Sequence, residues 1–362
     1  MINIYTDLPR LENFQLKNLS PLLSFHYQGL DVESARAGEH NPSSPLRTVD
    51  DPADAEFIAL PMHWSYYLWN ARRNMSEALR LAGIARAAGK QVIVWHKGDL
   101  VPIMPFENSI VFLPGIIRSK RLKNQRPCPA FVKDPSQIAG DKSIYREKKA
   151  KPVVGFCGYA SASLPKVGWS TLRGAQLNLS SKLGRYDFEA VPVIPATLLR
   201  ARALKILSSH PSIETAFVIR DKWTQLNASS RSPSQEEAEH AFFSNIYDTD
   251  YTLCLRGYGN WSYRFYETLA CGRIPIFIDT ECVLPEVPGV DWKKYCVWID
   301  RSEIGDIGEK VSAFHSSISS TEFVELQAAC RRLWQDHLTL DGFMADIRAH
   351  LDGSFRSVGD RS

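Results

Sequence analysis

Apolar and polar residues alternate along the chain in blocks that predict successive strands and helices. Short apolar runs rich in strand-forming residues recur in both halves of the sequence. The clearest of these runs are Ala55–Leu60, Gln91–Trp95, Ser109–Leu113, Pro152–Phe156, Thr215–Ile219, Tyr251–Leu255 and Arg273–Asp279. Stretches with helical spacing lie between several of them, for example Met75–Ala88 and Gln235–Tyr247. This alternation predicts an α/β protein with parallel sheets.

One strand–loop–helix–strand unit organises the second half. The run Tyr251–Leu255 leads into a glycine-punctuated loop, Arg256–Trp261, and Ser262 can then cap a helix that Gly272 ends. The next apolar run follows at once. We therefore predict a βαβ unit with two parallel strands and a right-handed crossover.

The loop of this unit is a candidate phosphate site. It leaves the carboxyl end of a strand and enters a helix, where free backbone N–H groups and the helix dipole attract anions. Arg256 and Arg264 frame the loop, and Glu267 follows Arg264 at helical spacing. One interpretation is a nucleotide clamp, with Arg264 at a diphosphate and Glu267 at a sugar hydroxyl. The alternative is a surface ion pair on an ordinary helix.

Two other patterns occur in the same stretch. Gly257-x-Gly259-x-x-Ser262 nearly fits the dinucleotide fingerprint, and Asp279 ends the next strand, where a ribose-binding acid belongs. Because the third glycine is a serine, an NAD(P)-dependent oxidoreductase is kept only as an alternative. The acid pair Asp248-Thr-Asp250 precedes its strand, away from the expected cleft, and we predict a solvated turn there.

The same stretch resembles the C-terminal signature of the exostosin-like glycosyltransferases. The matching residues are Ser262, Arg264, Phe265, Glu267, Leu269, Gly272, Ile274, Pro275, Leu284, Pro285, Asp291 and Trp292. The resemblance implies a GT-B fold, in which two Rossmann-like domains face a central cleft, and sugar transfer from a nucleotide sugar with inversion. It also implies that Glu267 accepts hydrogen bonds from ribose hydroxyls of the donor.

The GT-B expectation divides the chain into three parts. Residues 1–145 are expected to form an N-terminal, acceptor-side Rossmann-like domain, and residues 146–335 a C-terminal domain that binds the nucleotide sugar. Residues 336–362 are expected to form a terminal helix and tail that could pack back on the N-terminal domain. The charged segment Asp141–Lys151 is the expected linker.

Further candidates for the donor site follow other predicted strands of the second half. Gly158 lies in a glycine loop, and Arg220 and Lys222 place cations at another carboxyl end. The predicted donor site comprises Gly158, Arg220, Lys222, Arg256, Gly257, Gly259, Ser262, Arg264, Glu267 and Asp279. Its arginines could stabilise the departing diphosphate without a metal, so no metal ligand or cofactor is predicted. The expected donor is a UDP-sugar.

Inversion also needs a base, which should come from the first half of the chain. Asp99 and His63 both follow predicted strand ends and are the candidates. Asp99 is our first choice, and His63 has nearly the right unperturbed pKa for the task.

Charge, hydrophobicity and cysteine content limit the possible cellular locations and binding partners of the protein. A net charge of +3 is too small to indicate nucleic acid, and no apolar run approaches the ~20 residues of a membrane-spanning helix. Seven scattered cysteines without a CxxC pair favour reduced thiols and a cytoplasmic location. The basic cluster between residues 118 and 126 is either a solvated face or a contact for an acidic saccharide, a phosphate carrier or the inner face of a membrane.

The sequence therefore predicts a metal-independent, inverting glycosyltransferase that moves a sugar from a UDP-sugar to a glycan or polysaccharide acceptor. A non-catalytic glycan-binding protein is the other alternative, beside the oxidoreductase.

Overall fold

The computed structural model describes residues 1–7, 19–30, 34, 39–68, 71–139, 145–161, 163–184, 188–189, 191–192, 194–220 and 233–354. Within these residues, the chain forms two parallel sheets, each with helices around it. Lys222 and residues 141–144 of the expected linker lie outside the described residues.

The first sheet has six parallel strands in the described part of the chain. They are β1 (Ile2–Tyr5), β2 (Leu46–Thr48), β3 (Phe57–Ala59), β4 (Gln91–Trp95), β5 (Ser109–Leu113) and β6 (Gln125–Pro127). Their order is β2-β1-β3-β4-β5-β6. The helices of this half are α1 (Pro21–His26), α2 (Trp64–Leu68), α3 (Ala71–Ala87) and α4 (Ser136–Ala139). Every residue of β5 is buried, as expected for a parallel strand covered on both faces.

The second sheet contains five parallel strands among the described residues. They are β7 (Val153–Tyr159), β8 (Glu214–Arg220), β9 (Tyr251–Cys254), β10 (Ile274–Asp279) and β11 (Val297–Asp300), in the order β11-β10-β9-β7-β8. The helices here are α5 (Leu164–Lys182), α6 (Ala196–Ser209), α7 (Pro233–Tyr247), α8 (Tyr263–Ala270), α9 (Ile307–Ser317) and α10 (Ser320–Leu333).

The predicted βαβ unit is confirmed as β9, α8 and β10. β9 and β10 pair in parallel, with Tyr251 opposite Ile274. The helix α8 buries Phe265 and Leu269 against the sheet, and Gly272 adopts a φ of 61° directly after the helix. Glycine reaches this left-handed conformation without the steric cost that a Cβ would impose, which explains why α8 ends there.

Two last helices, α11 (Leu340–Ala345) and α12 (Ile347–Asp352), pack on the first sheet. Phe343 lies edge-on to Trp95 of β4 and to Phe112 of β5, at ring distances of 5.7 and 6.0 Å. The apolar faces of α11 and α12 thus belong to the core of the first domain.

The basic cluster of residues 118–126 lies at the contact between the domains. Arg118 pairs with Asp279 at 2.8 Å, and Arg121 pairs with Glu286 at 2.7 Å. The backbone N–H of Arg118 also donates to the carbonyl of Glu281 at 2.8 Å. Glu281 has a φ of 64°, a left-handed conformation that is costly for a residue with a side chain. Part of the cluster therefore holds the domains together.

The prediction of a solvated turn at Asp250 is wrong. The residue is fully buried, where its carboxylate accepts hydrogen bonds from Arg146 at 2.7 Å and from the backbone N–H of Val153 at 2.9 Å. A buried carboxylate needs such partners, so this residue ties the segment before β7 to the second sheet.

Among the described residues, no helix has the length and apolar character required to cross a bilayer.

Candidate functional site

The carboxyl ends of the two sheets face each other across a narrow cleft. Asp99 follows β4, and Ile116 follows β5, on the first wall. Gly259 follows β9, and Glu281 follows β10, on the second. Hydrogen bonds join Asp99 to Gly259 and the segment after β5 to the turn after β10. Loops at the carboxyl ends of parallel strands are the usual ligand site of α/β proteins.

Arg264 lies in the first turn of α8 and points at the end of β7. Its Nη2 donates to the carbonyl of Cys157 at 2.7 Å, and its guanidinium lies 4.5 Å from the ring centre of Phe156. A Cβ on Gly158 would lie 2.7 Å from Nη2, so glycine at this position leaves room for Arg264 to reach the end of β7. Gly158 thus admits the arginine side chain.

Two further arginines complete a cluster beside Arg264. Arg256 is buried at the end of β9, and its guanidinium donates to the carbonyls of Ile194 and, at 3.1 Å, Gly257. Arg200 of α6 donates to the carbonyl of Tyr159 at 2.6 Å and to that of Arg256 at 3.0 Å. We call Arg200, Arg256 and Arg264 the arginine cluster. Arg200 was not predicted, because the sequence does not show which face of α6 meets the cleft.

The arginine cluster carries positive charge that no described carboxylate neutralises by an ion pair. Burial, Arg264 and Arg256 together lower the pKa of Arg200 to about 9. Burial and Arg301 lower that of Arg256 to about 10. Since guanidinium groups stay charged in proteins, these directions indicate an unfavourable concentration of positive charge that a bound anion would relieve.

Glu267 lies one turn further along α8, buried next to the cluster. Burial raises the pKa of its carboxyl group to about 7, and Arg264 partly offsets this effect. Glu267 and Arg264 form no ion pair within 4 Å among the described contacts, so the alternative of a surface ion pair does not describe them. A buried acid of raised pKa beside a cation cluster is typical of a functional site.

The glycine loop is packed against the first domain. The N–H of Gly259 donates to Oδ1 of Asp99 at 3.2 Å. A Cβ on Gly259 would lie 2.7 Å from both the carbonyl oxygen of Asp99 and Nε1 of Trp261. Gly257 is less crowded, with the nearest atom 3.8 Å away. Gly259 therefore lets the two walls approach and gives its N–H to Asp99 in this arrangement.

The two candidate bases differ in their surroundings. Asp99 faces the cleft, whose walls desolvate its carboxyl group and raise its pKa, while the hydrogen bond from Gly259 acts in the opposite sense. His63 is half-buried, and burial with the nearby Lys97 lowers its pKa to about 4. His96, which was not predicted, is buried next to His63 with its pKa also lowered to about 4, mainly by burial. His63 is therefore neutral but only weakly basic.

The other predicted donor residues are placed less directly at the cluster. Arg220 donates to the carbonyl of Ala238 at 2.6 Å and lies close enough to Arg264 to influence its charge. Ser262 precedes α8 without capping it through its side chain. Asp279 already accepts hydrogen bonds from Arg118 and from the N–H of Cys282, at 2.8 and 3.1 Å. Its carboxylate therefore serves the domain contact.

A cavity of about 130 Å³ lies between the domains next to Arg256. The first domain contributes Ile117 and Lys120, and the turn after β10 contributes Thr280 and Glu281. Arg301 also lines the cavity. The cavity is polar enough for part of a nucleotide.

Within the described residues, no group of three or more His, Cys, Asp or Glu side chains is arranged to hold a metal.

The fold and the site together define a class. Two parallel α/β domains with a cation-lined cleft between their carboxyl ends confirm the predicted GT-B architecture. Residues 198–314, which include most of α6, the glycine loop and α8, match the family model described as Exostosin GT47 domain. This match confirms the predicted resemblance to the exostosin-like glycosyltransferases over the matched residues, and it supports a glycosyltransferase as the class of enzyme.

Solved structures give distant fold similarities. TarM matches with 9% identity and a TM-score of 0.35, over 73% of this chain and 50% of TarM, so the chain spans about half the length of that protein. The spinosyn rhamnosyltransferase SpnG matches with 10% identity and a TM-score of 0.32, over 97% of this chain and all of SpnG (100%). A glycosyltransferase from Rickettsia africae ESF-5 matches with 11% identity and a TM-score of 0.37, over 98% and 99% of the two chains. No curated protein matches the sequence.

Proposed function

We propose that this protein transfers a sugar from a nucleotide diphosphate sugar, most simply a UDP-sugar, to a glycan or polysaccharide acceptor. Transfer proceeds with inversion and needs no metal ion. The observation that carries the proposal is the arginine cluster, three inward-facing guanidinium groups with no carboxylate partner in the described part of the chain.

The cluster suits the leaving group of this reaction. The acceptor oxygen attacks the anomeric carbon, and the bond from that carbon to the phosphate oxygen breaks with its electron pair moving to the diphosphate. Guanidinium groups fixed in advance stabilise this charge without reorganisation. In this proposal, Arg264 and Arg200 bind the diphosphate, and Glu267 accepts hydrogen bonds from the ribose.

Asp99 is the proposed base. It lies on the wall opposite the arginine cluster, and desolvation moves its pKa upward, towards the range in which a carboxylate accepts a proton effectively. His63 is the second candidate, and burial together with the nearby Lys97 lowers its pKa to about 4. Asp99→Asn keeps an acceptor for the N–H of Gly259 but removes the base. Its kcat should fall by about 10² to 10⁴, whereas His63→Gln should retain most activity.

The cavity implies domain movement. Ligand sites for small molecules usually measure ~300–1,000 Å³, more than the cavity of about 130 Å³ next to Arg256. We therefore propose that the domains separate to admit a complete nucleotide sugar and then close again. The contacts of Arg118 and Gly259 with the opposite domain would open in this step.

Nucleotide binding tests the donor site. UDP, GDP and CMP are added separately, and the melting temperature is followed. We expect UDP to raise it, because a ligand at 100 times its Kd adds about 2.7 kcal/mol to the stability of the folded state. Stabilisation by GDP alone would refute uracil as the nucleobase of the donor. No response to any of the three nucleotides would refute the donor site.

A matched pair of variants on α6 tests the arginine cluster. Arg200 points into the cluster, whereas Arg202 is exposed on the same helix. Arg200→Ala should lower kcat by about 10² to 10³, the usual effect of removing one donor to a developing anion. Arg202→Ala should be neutral. Equal activity of the two variants would contradict the assignment.

Two earlier alternatives can be separated by the same assays. An NAD(P)-dependent oxidoreductase would be stabilised by a nicotinamide nucleotide and not by UDP. A non-catalytic glycan-binding protein would bind saccharide without releasing UDP from a UDP-sugar. The cytoplasmic location stays a prediction, and so does a membrane contact of the basic cluster. Charge reversal of the exposed Lys123 in a vesicle-binding assay tests the membrane contact.

A further inference from the structure

The helix α5 exposes large apolar side chains to solvent. Four of them have side chains that are 60–70% exposed: Trp169 (70%), Leu172 (63%), Leu179 (60%) and Leu183 (61%). Leu183 directly follows the helix. Single exposed apolar residues are normal on protein surfaces, but a contiguous group usually marks an interaction surface. We call these four residues the α5 stripe.

The α5 stripe occupies one side of the helix. Each residue of an α-helix is turned by about 100° from the one before it, which places the four stripe residues within about 80° of one another. The opposite side contacts the protein. There the side chain of Asn178 exchanges two hydrogen bonds with the backbone of Val191, at 2.7 and 3.0 Å, and the hydroxyl of Ser181 donates to the carbonyl of Phe188. The stripe is thus the outer face of a helix that is anchored by its inner face.

Charge favours an anionic partner. Residues 153–184 contain no Asp or Glu, and α5 contains three Lys and Arg residues. Arg173 and Lys182 are exposed, and helical spacing places them on either side of the stripe. A second copy of this helix would bring like charges together. An apolar stripe between flanking cations instead fits an anionic bilayer, with apolar groups at the acyl boundary and cations among the head groups.

Both ends of α5 are tied to the cleft. Tyr159, just before the helix, accepts a hydrogen bond from Arg200 of the arginine cluster at 2.6 Å. After the helix, Phe188 pairs with Pro102, and the N–H of Glu189 donates to the carbonyl of Val101 at 2.8 Å, close to Asp99. A surface that binds the stripe therefore lies next to the mouth of the cleft.

We propose that the α5 stripe docks this protein on an anionic membrane surface. The stripe side chains enter the head-group boundary, and Arg173 and Lys182 contact lipid phosphates. The consequence that the acceptor is presented at that surface rests on the proposed glycosyltransferase function. The docking itself does not.

Vesicle co-sedimentation tests the docking. The full chain is mixed with phosphatidylcholine vesicles, with and without phosphatidylglycerol. The wild-type protein should bind the anionic vesicles, less so at high salt, and bind the neutral ones weakly. Leu172→Asp with Leu179→Asp should abolish binding, since withdrawing each leucine weakens partition by about tenfold or more. The matched control is Leu79→Asp on α3, another exposed leucine, which should bind like the wild type.

Trp169 supplies a second readout. Brominated lipids should quench part of the tryptophan fluorescence in the wild-type protein, and Trp169→Phe should lose that quenching. Three results would overturn the proposal. They are no binding of the wild-type protein to anionic vesicles, binding of the double variant equal to that of the wild type, or a wild-type dimer in light scattering that is absent in the double variant. The melting temperature with UDP is measured on the same proteins and reports the donor site separately. A double variant that responds to UDP but not to vesicles therefore supports docking through the stripe.

Discussion

Glu267 allows a quantitative test of the site through stability. Burial raises the pKa of its carboxyl group from the usual 4.5 to about 7 in the folded protein. Below pH 4.5 the group is protonated in both the folded and the unfolded states and contributes nothing. As the pH rises from 4.5 to about 7, the unfolded chain loses this proton first, so the folded state becomes less stable relative to the unfolded state. The cost is complete above about pH 7.

The difference between a pKa of 4.5 and one of about 7 corresponds to about 3 kcal/mol. Gln resembles the protonated acid in shape and cannot ionise. We therefore expect Glu267→Gln to match the wild type near pH 4.5 and to exceed its free energy of unfolding by up to about 3 kcal/mol at pH 8. The same variant should be inactive if Glu267 binds the donor, so stability and activity would change in opposite directions.

Chemical denaturation across a series of pH values measures this difference. Comparing the two proteins at each pH cancels all other titrating groups, because they are shared. Glu325→Gln is the matched control, since Glu325 is exposed on α10 and its replacement should leave the curve unchanged. A Glu267→Gln protein that is no more stable than the wild type at pH 8 would refute the reasoning. A stability difference that is independent of pH would refute it as well.

Three further predictions concern the framework of the site. Gly259→Ala should lower both the melting temperature and the activity, because its Cβ would lie 2.7 Å from the carbonyl oxygen of Asp99, whereas Gly257→Ala serves as the tolerated control. Phe343→Ala should lower the free energy of unfolding by about 3–5 kcal/mol in urea denaturation, since it empties the contact of α11 with the first-domain core. Asp250→Ala should cost about 3–5 kcal/mol in the same assay, because it leaves Arg146 without its partner; a loss below about 1 kcal/mol in either variant would contradict the packing described.

The sequence was most informative where local pattern alone decides structure. The periodicity of α8 and the glycine after it predicted the βαβ unit, and the position of Arg264 and Glu267 on that helix followed directly. Contacts between distant segments were not predictable in this way. The partners of Asp279 and Gly259 lie in the other domain, 161 and 160 residues away along the chain, so they depend on how the domains pack.

Helix faces were the second limit. Arg200 lies on α6, but the periodicity of that helix does not distinguish it from the exposed Arg202. The helix α5 was missed altogether. Its large apolar residues recur at helical spacing, yet they face solvent, and the short polar residues between them favour caps and turns as much as helix.

Departures from stable packing concentrate at the cleft. Glu281 holds a left-handed backbone conformation, Glu267 is buried with a raised pKa, and the arginine cluster has no carboxylate partner among the described residues. Each feature costs stability, and none is required to form either sheet. Local rules of stability are most often broken where a protein binds or reacts. A diphosphate would neutralise the cluster, and a ribose hydroxyl would give Glu267 a partner, so the same ligand would relieve two of these costs at once. This physical coincidence is the strongest support for the proposal that the donor binds at the start of α8.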